Sequence, residues 1–270
     1  MTVNVDAYFV RGDTHTVCED YAAAGKYGNR PFAIVSDGCS SAQNTDFGSR
    51  FLVQATMWQF RSQADEEEFT LSGKDILDNA IDMVITSHLP AESLFATLLV
   101  GWVDQGEFKV VAWGDGIIAA RRHDGTWEYH NIEYHHGAPA YLAYKATGNL
   151  NVYTEHTNNA QRSIYTYDSE QDTEVLRAEH EGLQPERFAF PTDQYDLVLL
   201  MSDGGHTFHC PGQKTPTKDV VERALAIKTV SGEFVTRRVR RFIKNHRKDD
   251  GRIDDDFSVA GIHVPEPAGE

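Results

Sequence analysis

Short apolar runs rich in β-branched and aromatic residues recur along the chain: FAIVS (32 to 36), FATLLVGWV (95 to 103), FKVVAW (108 to 113), GIIAARR (116 to 122), DLVLLMS (196 to 202) and FSVAGIHV (257 to 264). Each has the length of a strand, and most are continuous rather than alternating, which predicts strands buried on both faces. Asp124-Gly125-Thr126 supplies a turn that tolerates left-handed backbone, so GIIAARR and TWEYHNIEY are expected to form an antiparallel hairpin. Three- and four-residue spacing predicts helices elsewhere. From Thr45 to Arg61 the apolar face is read as Phe47, Phe51, Leu52, Ala55 and Trp58, and the next segment repeats the period with Ile76, Leu77, Ala80, Ile81, Val84 and Ile85. Late in the chain Val220, Val221, Ala224, Leu225 and Ile227 form a third stripe. Ser231-Gly232 separates it from a basic helix expected over about Glu233 to Lys248, whose RRVRRFIK run reads as a solvated face or a dock for an acidic partner.

Strands, two helices, a run of strands, a long middle, a strand, two helices and a final strand give an α+β order without regular strand–helix alternation. Residues 134 to 194 are polar, lack a sustained period, and are read as strands and irregular loops of the same domain. The expected organisation is one domain over residues 1–264 with a short Pro-containing tail over 265–270.

Composition changes this picture little. In 270 residues, 40% hydrophobic and 24% charged, the chain has enough apolar material to bury a core. Charge is more informative: 41 acidic against 25 basic residues leave −16, the wrong sign for wrapping a phosphate backbone, which argues against nucleic acid as a partner. No apolar run approaches the ~20 residues that cross a bilayer, so no membrane association is expected. Cys18, Cys39 and Cys210 cannot close a disulfide framework, and the N-terminus lacks the pattern of a secretory leader, which together fit a cytoplasmic location.

The candidate chemistry lies where strands end. Three buried-looking runs lead into Asp-Gly: FAIVS into Asp37-Gly38, VVAW-Gly114 into Asp115-Gly116, and LVLLM-Ser202 into Asp203-Gly204. A carboxylate at a strand end is held rigidly, the following glycine admits close approach of a ligand or carbonyl, and hard divalent ions favour such an oxygen cage. Asp-Gly is also an ordinary turn dipeptide, which is the reading for Asp124-Gly125 and an open alternative for Asp115. Asp37-Gly38 and Asp203-Gly204 each open a loop before a helix, unlike tight hairpins. Asp254-Asp255-Asp256 immediately precedes the last strand, and Glu19-Asp20 precedes YAAAG. Adjacent like charges repel unless they are solvated or neutralised by cations.

In order and spacing, CEDYAAA (18 to 24), FAIVSDGCSS (32 to 41), AWGDGIIAARR (112 to 122), LVLLMSDGG (197 to 205) and DDDFSVAGI (254 to 262) resemble the signature segments of type 2C metal-dependent protein phosphatases, as a bacterial-type single-domain member. The resemblance implies a four-layer αββα sandwich, two antiparallel sheets flanked by pairs of helices. It implies that Asp37 bridges two Mg2+ or Mn2+ ions with the Gly38 carbonyl on one of them, that Asp203 and Asp255 hold the other, and that Glu19 and Asp20 act largely through water. Asp256 falls where the family has a neighbouring Asn or Asp, and Asp115 matches the position of a third, weaker ion. The implied activity is hydrolysis of phosphoserine or phosphothreonine in a protein substrate, by hydroxide bridging two metals, with Asp37, Asp203 and Asp255 as the catalytic set.

Two departures bear on that reading. The family places a phosphate-clamping arginine four residues before the Glu of its acid pair, where this chain has His15; a planar bidentate clamp is lost, and Arg11 is the other candidate for substrate phosphate. Cys39 stands where many eukaryotic members carry a histidine, inviting a redox role, while His206 and His209 are weaker candidates for a proton donor. His135-His136, adjacent in sequence, is not expected to act as a ligand pair. A pseudophosphatase or phosphoprotein-binding module of the same fold remains the alternative, and a small-ester hydrolase a third.

Overall fold

The protein, seen in a computed structural model, is described over residues 2–146 and 150–266. A seven-stranded antiparallel sheet runs, edge to edge, through Asn4–Val10, Phe257–His263, Tyr195–Met201, Gly116–Arg122, Trp127–Tyr134, Arg162–Asp168 and Thr173–His180. A five-stranded antiparallel sheet runs through Glu186–Pro191, Glu107–Trp113, Leu98–Asp104, Arg30–Ser36 and Tyr21–Tyr27. Five α-helices complete the main layers: α1 (Thr45–Ser62), α2 (Gly73–Thr86), the short α3 (Leu150–His156), α4 (Thr217–Leu225) and α5 (Phe234–Lys248).

The continuous apolar runs are explained by three apolar layers. Along Tyr195–Met201, Leu197, Leu199 and Met201 face Val220, Val221, Phe234 and Val239 of α4 and α5. Val198 and Leu200 turn the other way, to meet Val35, Leu99, Val110 and Ala112 of the second sheet. In that sheet Ile34, Leu98, Val100 and Trp102 face Leu52, Phe60, Ile76 and Ala80 of α1 and α2. Alternate side chains thus serve two different cores, so both faces must be apolar. This is the expected αββα sandwich.

The helix spans agree closely with expectation, but the buried face of α1 does not. Phe47 and Trp58 are 47% and 54% exposed, and Ile85 of α2 is 64% exposed. The stripe of α1 that turns inward is instead Thr45, Gly48, Ser49, Leu52, Val53, Ala55, Thr56, Gln59 and Phe60. Its polar members are admitted because each finds a partner: Thr56 bonds the Leu52 carbonyl at 2.7 Å, and Gln59 exchanges bonds with the Ser72 backbone at 2.8 and 3.0 Å. Leu52 and Ala55 belong to both stripes, so hydrophobicity alone found part of the buried face and missed its polar members.

Strand limits differ in one informative place. Phe95 to Thr97 do not join the strand that begins at Leu98, because Ala96 bridges Gly38 and Thr97 N–H donates to the Asp37 carbonyl at 2.8 Å. That segment braces a site loop. The middle of the chain holds more order than its polarity suggested. Arg162–Asp168 and Thr173–His180 extend the larger sheet, Glu186–Pro191 caps the smaller one, and α3 precedes all three in the chain. Asn4–Val10 forms an edge strand whose signal is the alternation Val3, Val5, Ala7, Phe9, all turned toward the layer between the sheets. Residues 267–270 of the expected tail lie outside the described residues.

Candidate metal centre

Antiparallel register gathers the acids at one end of the sandwich. Tyr21 pairs with Ser36, and Leu98 with Trp113, so Asp20, Asp37 and the Gly114-Asp115 turn leave the smaller sheet at the same end. Met201 pairs with both Val259 and Ile117, so Asp203, Asp256 and Asp115 flank the matching end of the larger sheet. Asp115 is no hairpin turn: it sits where the chain crosses from one sheet to the other, between Gly114 at φ 96° and Gly116 at φ 138°, backbone that side chains rarely tolerate.

Glycines also let the loops close on one another. A Cβ at Gly38 would lie 2.9 Å from Thr45 Cβ and 3.0 Å from the Glu19 carbonyl oxygen, and one at Gly204 would lie 1.8 Å from the Asp256 carbonyl oxygen. The Asp37-Gly38 and Asp203-Gly204 loops therefore touch the other acidic loops directly.

Asp256 is fully enclosed and works as a clasp. It accepts N–H bonds from Gly12 at 2.7 Å and from Glu19 at 2.5 Å, drawing the N-terminal loop onto the last strand. Asp20 is also fully buried; one carboxylate oxygen accepts the Ser202 hydroxyl at 2.7 Å, and Ser258 N–H in turn donates to Ser202 Oγ at 3.0 Å. Glu19 is fixed from α1: Thr45 donates to its carboxylate at 3.0 Å and Ser49 to its carbonyl at 2.6 Å. Ser202, Ser258, Thr45 and Ser49 were not singled out in the sequence. Ser202 and Ser258 had a local signal, each lying within an acidic signature segment, whereas the role of Thr45 and Ser49 depends on α1 meeting the Glu19 loop.

Electrostatics mark the cluster as a concentration of negative charge. The pKa of Asp37 is pushed well above the usual carboxylate range, first by burial and then by Asp20 and Asp203. Burial and Asp203 do the same to Asp115. Asp20 is pushed up to about 7, chiefly by burial, against the pull of its Ser202 bond. Asp255 and Glu19 are raised as well, burial again leading. Among the described residues seven carboxylates, Glu19, Asp20, Asp37, Asp115, Asp203, Asp255 and Asp256, meet a single imidazole, His15. Its ring nitrogens lie 3.2 Å from Asp255, 3.3 Å from Asp256 and 3.7 Å from Glu19. Burial opposes the charge on His15, but the three acids outweigh it and raise its pKa.

The donor set fits divalent ions on grounds of the structure itself. Asp20 Oδ1 and Asp203 Oδ1 are shielded from solvent without a hydrogen-bond partner among the described residues. His15, Glu19 and Asp256 each place a ligand atom within 4.8 Å of the others. Buried carboxylates this crowded must either hold protons or gain positive charge, and oxygen-rich sites with a few fixed waters suit Mg2+ or Mn2+.

The remaining candidates separate cleanly. Arg11 is exposed, with its guanidinium on the Thr16 carbonyl at 3.3 Å. Both His206 nitrogens are engaged, by Thr217 at 2.8 Å and Asn131 at 2.9 Å, and burial lowers its pKa. His209 pairs with Asp254 at 3.2 Å. His135 bonds Ser163 at 2.7 Å, away from the cluster. Cys39 lies 3.0 Å from the Ser41 hydroxyl and lines a groove of about 470 Å³ with Pro90, Phe95 and Tyr144.

The family model for Protein phosphatase 2C matches residues 11–248, and the chain belongs to that family. Among solved structures, a bacterial serine phosphatase superposes with a TM-score of 0.61 at 12% identity, covering 99% of this chain and 100% of its own. The serine/threonine phosphatase Stp1 from Staphylococcus aureus gives 0.57 at 14%, covering 98% and 96%. The PP2C phosphatase domain with a regulatory fragment of SpoIIE from Bacillus subtilis gives 0.56 at 14%, covering 99% of this chain and 65% of its own. The chain matches no curated protein sequence.

Proposed function

We propose that the chain, through residues 1–264, is a metal-dependent phosphomonoester hydrolase that removes phosphate from phosphoserine or phosphothreonine in a protein substrate, with Mg2+ or Mn2+. The observation that carries the reading is the rim of seven carboxylates balanced by one imidazole on a Protein phosphatase 2C fold. In this reading Asp37, the Gly38 carbonyl, Asp203 and Asp255 hold two ions, Asp115 stands at a third position, and Glu19 and Asp20 support them through water and hydrogen bonds. The ions supply an activated water and neutralise phosphoryl charge.

The protein's own part is positioning. Ser202 and Ser258 fix Asp20 beneath the site, and the Asp256 clasp and α1 fix Glu19 beside it. The strand ends hold Asp37 and Asp203 so that little reorganisation is required when charge develops on phosphorus. Among the described residues no arginine joins the cluster, so the chain itself offers no bidentate clamp for substrate phosphate there. Three free cysteines support the cytoplasmic location. Among the described residues no helix is long and apolar enough to cross a membrane.

One observation favours the competing reading, a phosphoprotein-binding pseudophosphatase: His15 turns into the acid ring instead of standing free as a phosphate clamp. Turnover decides. p-Nitrophenyl phosphate and a phosphothreonine peptide should be hydrolysed with Mn2+ or Mg2+, and chelator should abolish it. Asp37→Asn and Asp203→Asn should each lose at least about 10³-fold in kcat while remaining folded. Metal binding without turnover would establish the pseudophosphatase instead.

A further inference from the structure

His15 is placed as a ligand is placed. Its loop is pinned on both sides, by the Asp256 bonds to Gly12 and Glu19 and by Asp13, whose N–H meets the Ile253 carbonyl at 2.7 Å and whose carboxylate accepts Ile253 N–H at 3.1 Å. The imidazole is only 19% exposed and points into the acids. A clamp for an incoming phosphate would instead present its donors to the opening. Nε2 lies 3.2 Å from Asp255 Oδ1. Adjacent donors on one octahedral ion, at metal–ligand distances of about 2.1–2.2 Å, stand about 3 Å apart, so this pair is spaced for a common ion.

The other ring nitrogen completes the pattern. Nδ1 faces Asp256 Oδ2 at 3.3 Å, shielded from solvent and without a well-aligned hydrogen bond. A metal-bound histidine characteristically turns its second nitrogen to a carboxylate, which fixes the ring and raises its donor strength. Asp20 gives an independent sign that this ring is built to take a cation. It is fully buried, yet its Oδ1 has no hydrogen-bond partner among the described residues.

We propose that His15 Nε2 is a direct ligand of the ion held by Asp255, making the centre a mixed nitrogen–oxygen site selective for Mn2+ and later divalent metals over Mg2+. Affinity for a nitrogen-containing site rises from Mn2+ through the later divalent metals, whereas Mg2+ favours an oxygen-only shell. The inference rests on the reading of the acidic rim as a metal centre and deepens it: the family's arginine position is given over from substrate to metal.

The test uses the full chain, first stripped with chelator. Pulsed EPR of the Mn2+-loaded protein should show 14N modulation from a coordinated imidazole, and that modulation should vanish in His15→Ala. By titration calorimetry, His15→Ala should weaken Mn2+ at least 10-fold and change Mg2+ by less than about 3-fold. His15→Gln provides a second variant of similar size in case the first fails to fold. Wild-type protein that binds Mn2+ without nitrogen modulation, or variants that bind Mn2+ as tightly as wild type, would overturn the role of His15 alone. Wild-type protein that binds neither ion would sink the metal-centre reading itself.

Discussion

The two helical layers of the sandwich bury different things. Beneath α4 and α5 the contact is almost wholly apolar, with Val220, Val221, Leu225, Phe234, Val239, Phe242 and Ile243 packed on the larger sheet. Beneath α1 the buried stripe includes Thr45, Ser49, Thr56 and Gln59, each hydrogen-bonded, and two of these hold Glu19 at the acidic rim. One layer therefore supplies cohesion and the other doubles as a wall of the site. The difference shows why amphipathicity located both helix pairs but only part of the buried face of α1: a helix that braces a polar site must turn polar groups inward.

Truncating the cohesive layer should have the largest effect on stability. Phe242→Ala removes a ring stacked on Phe208 at 5.0 Å and should cost about 3–5 kcal/mol, measured by denaturant unfolding. Turnover per folded molecule should stay near wild type, and a large loss would mean that the two layers are not independent. Next comes pH. Asp20 binds its proton with a folded pKa of about 7, above its unfolded value, so the metal-free protein holds more protons folded than unfolded between about 4 and 7. Its stability should fall as pH rises through that window, and Mn2+ should restore more stability at pH 7.5 than at pH 5. A metal-free melting temperature that climbs over the same range would contradict the crowded-carboxylate picture.

A smaller change in the site-bracing layer sharpens the contrast. Ser49→Ala leaves the Glu19 carbonyl without its 2.6 Å donor and should cost about 1–2 kcal/mol, with Mn2+ binding weakened about 10-fold. Unchanged metal affinity would show that α1 only packs there. Trp58→Ser, on the exposed face of the same helix, should stay within about 0.5 kcal/mol of wild type and leave turnover alone.

Much of this protein is set by local pattern. Continuous apolar runs such as DLVLLMS had to be strands with two buried faces, the helix pairs followed from three- and four-residue spacing, and Asp37, Asp115 and Asp203 were marked as strand-end acids by the glycines beside them. These features are legible because each depends on neighbours within one or two turns of chain. Tertiary structure alone decided what depends on distant partners. It made the polar stripe of α1 face inward, turned Asp115 into a crossing between sheets, and made Asp256 a clasp on residues more than two hundred positions earlier. It also carried His15 into the carboxylate ring. A sequence can state that an imidazole replaces a guanidinium there, but the direction in which that ring points is fixed only when the first loop and the last strand are pinned together.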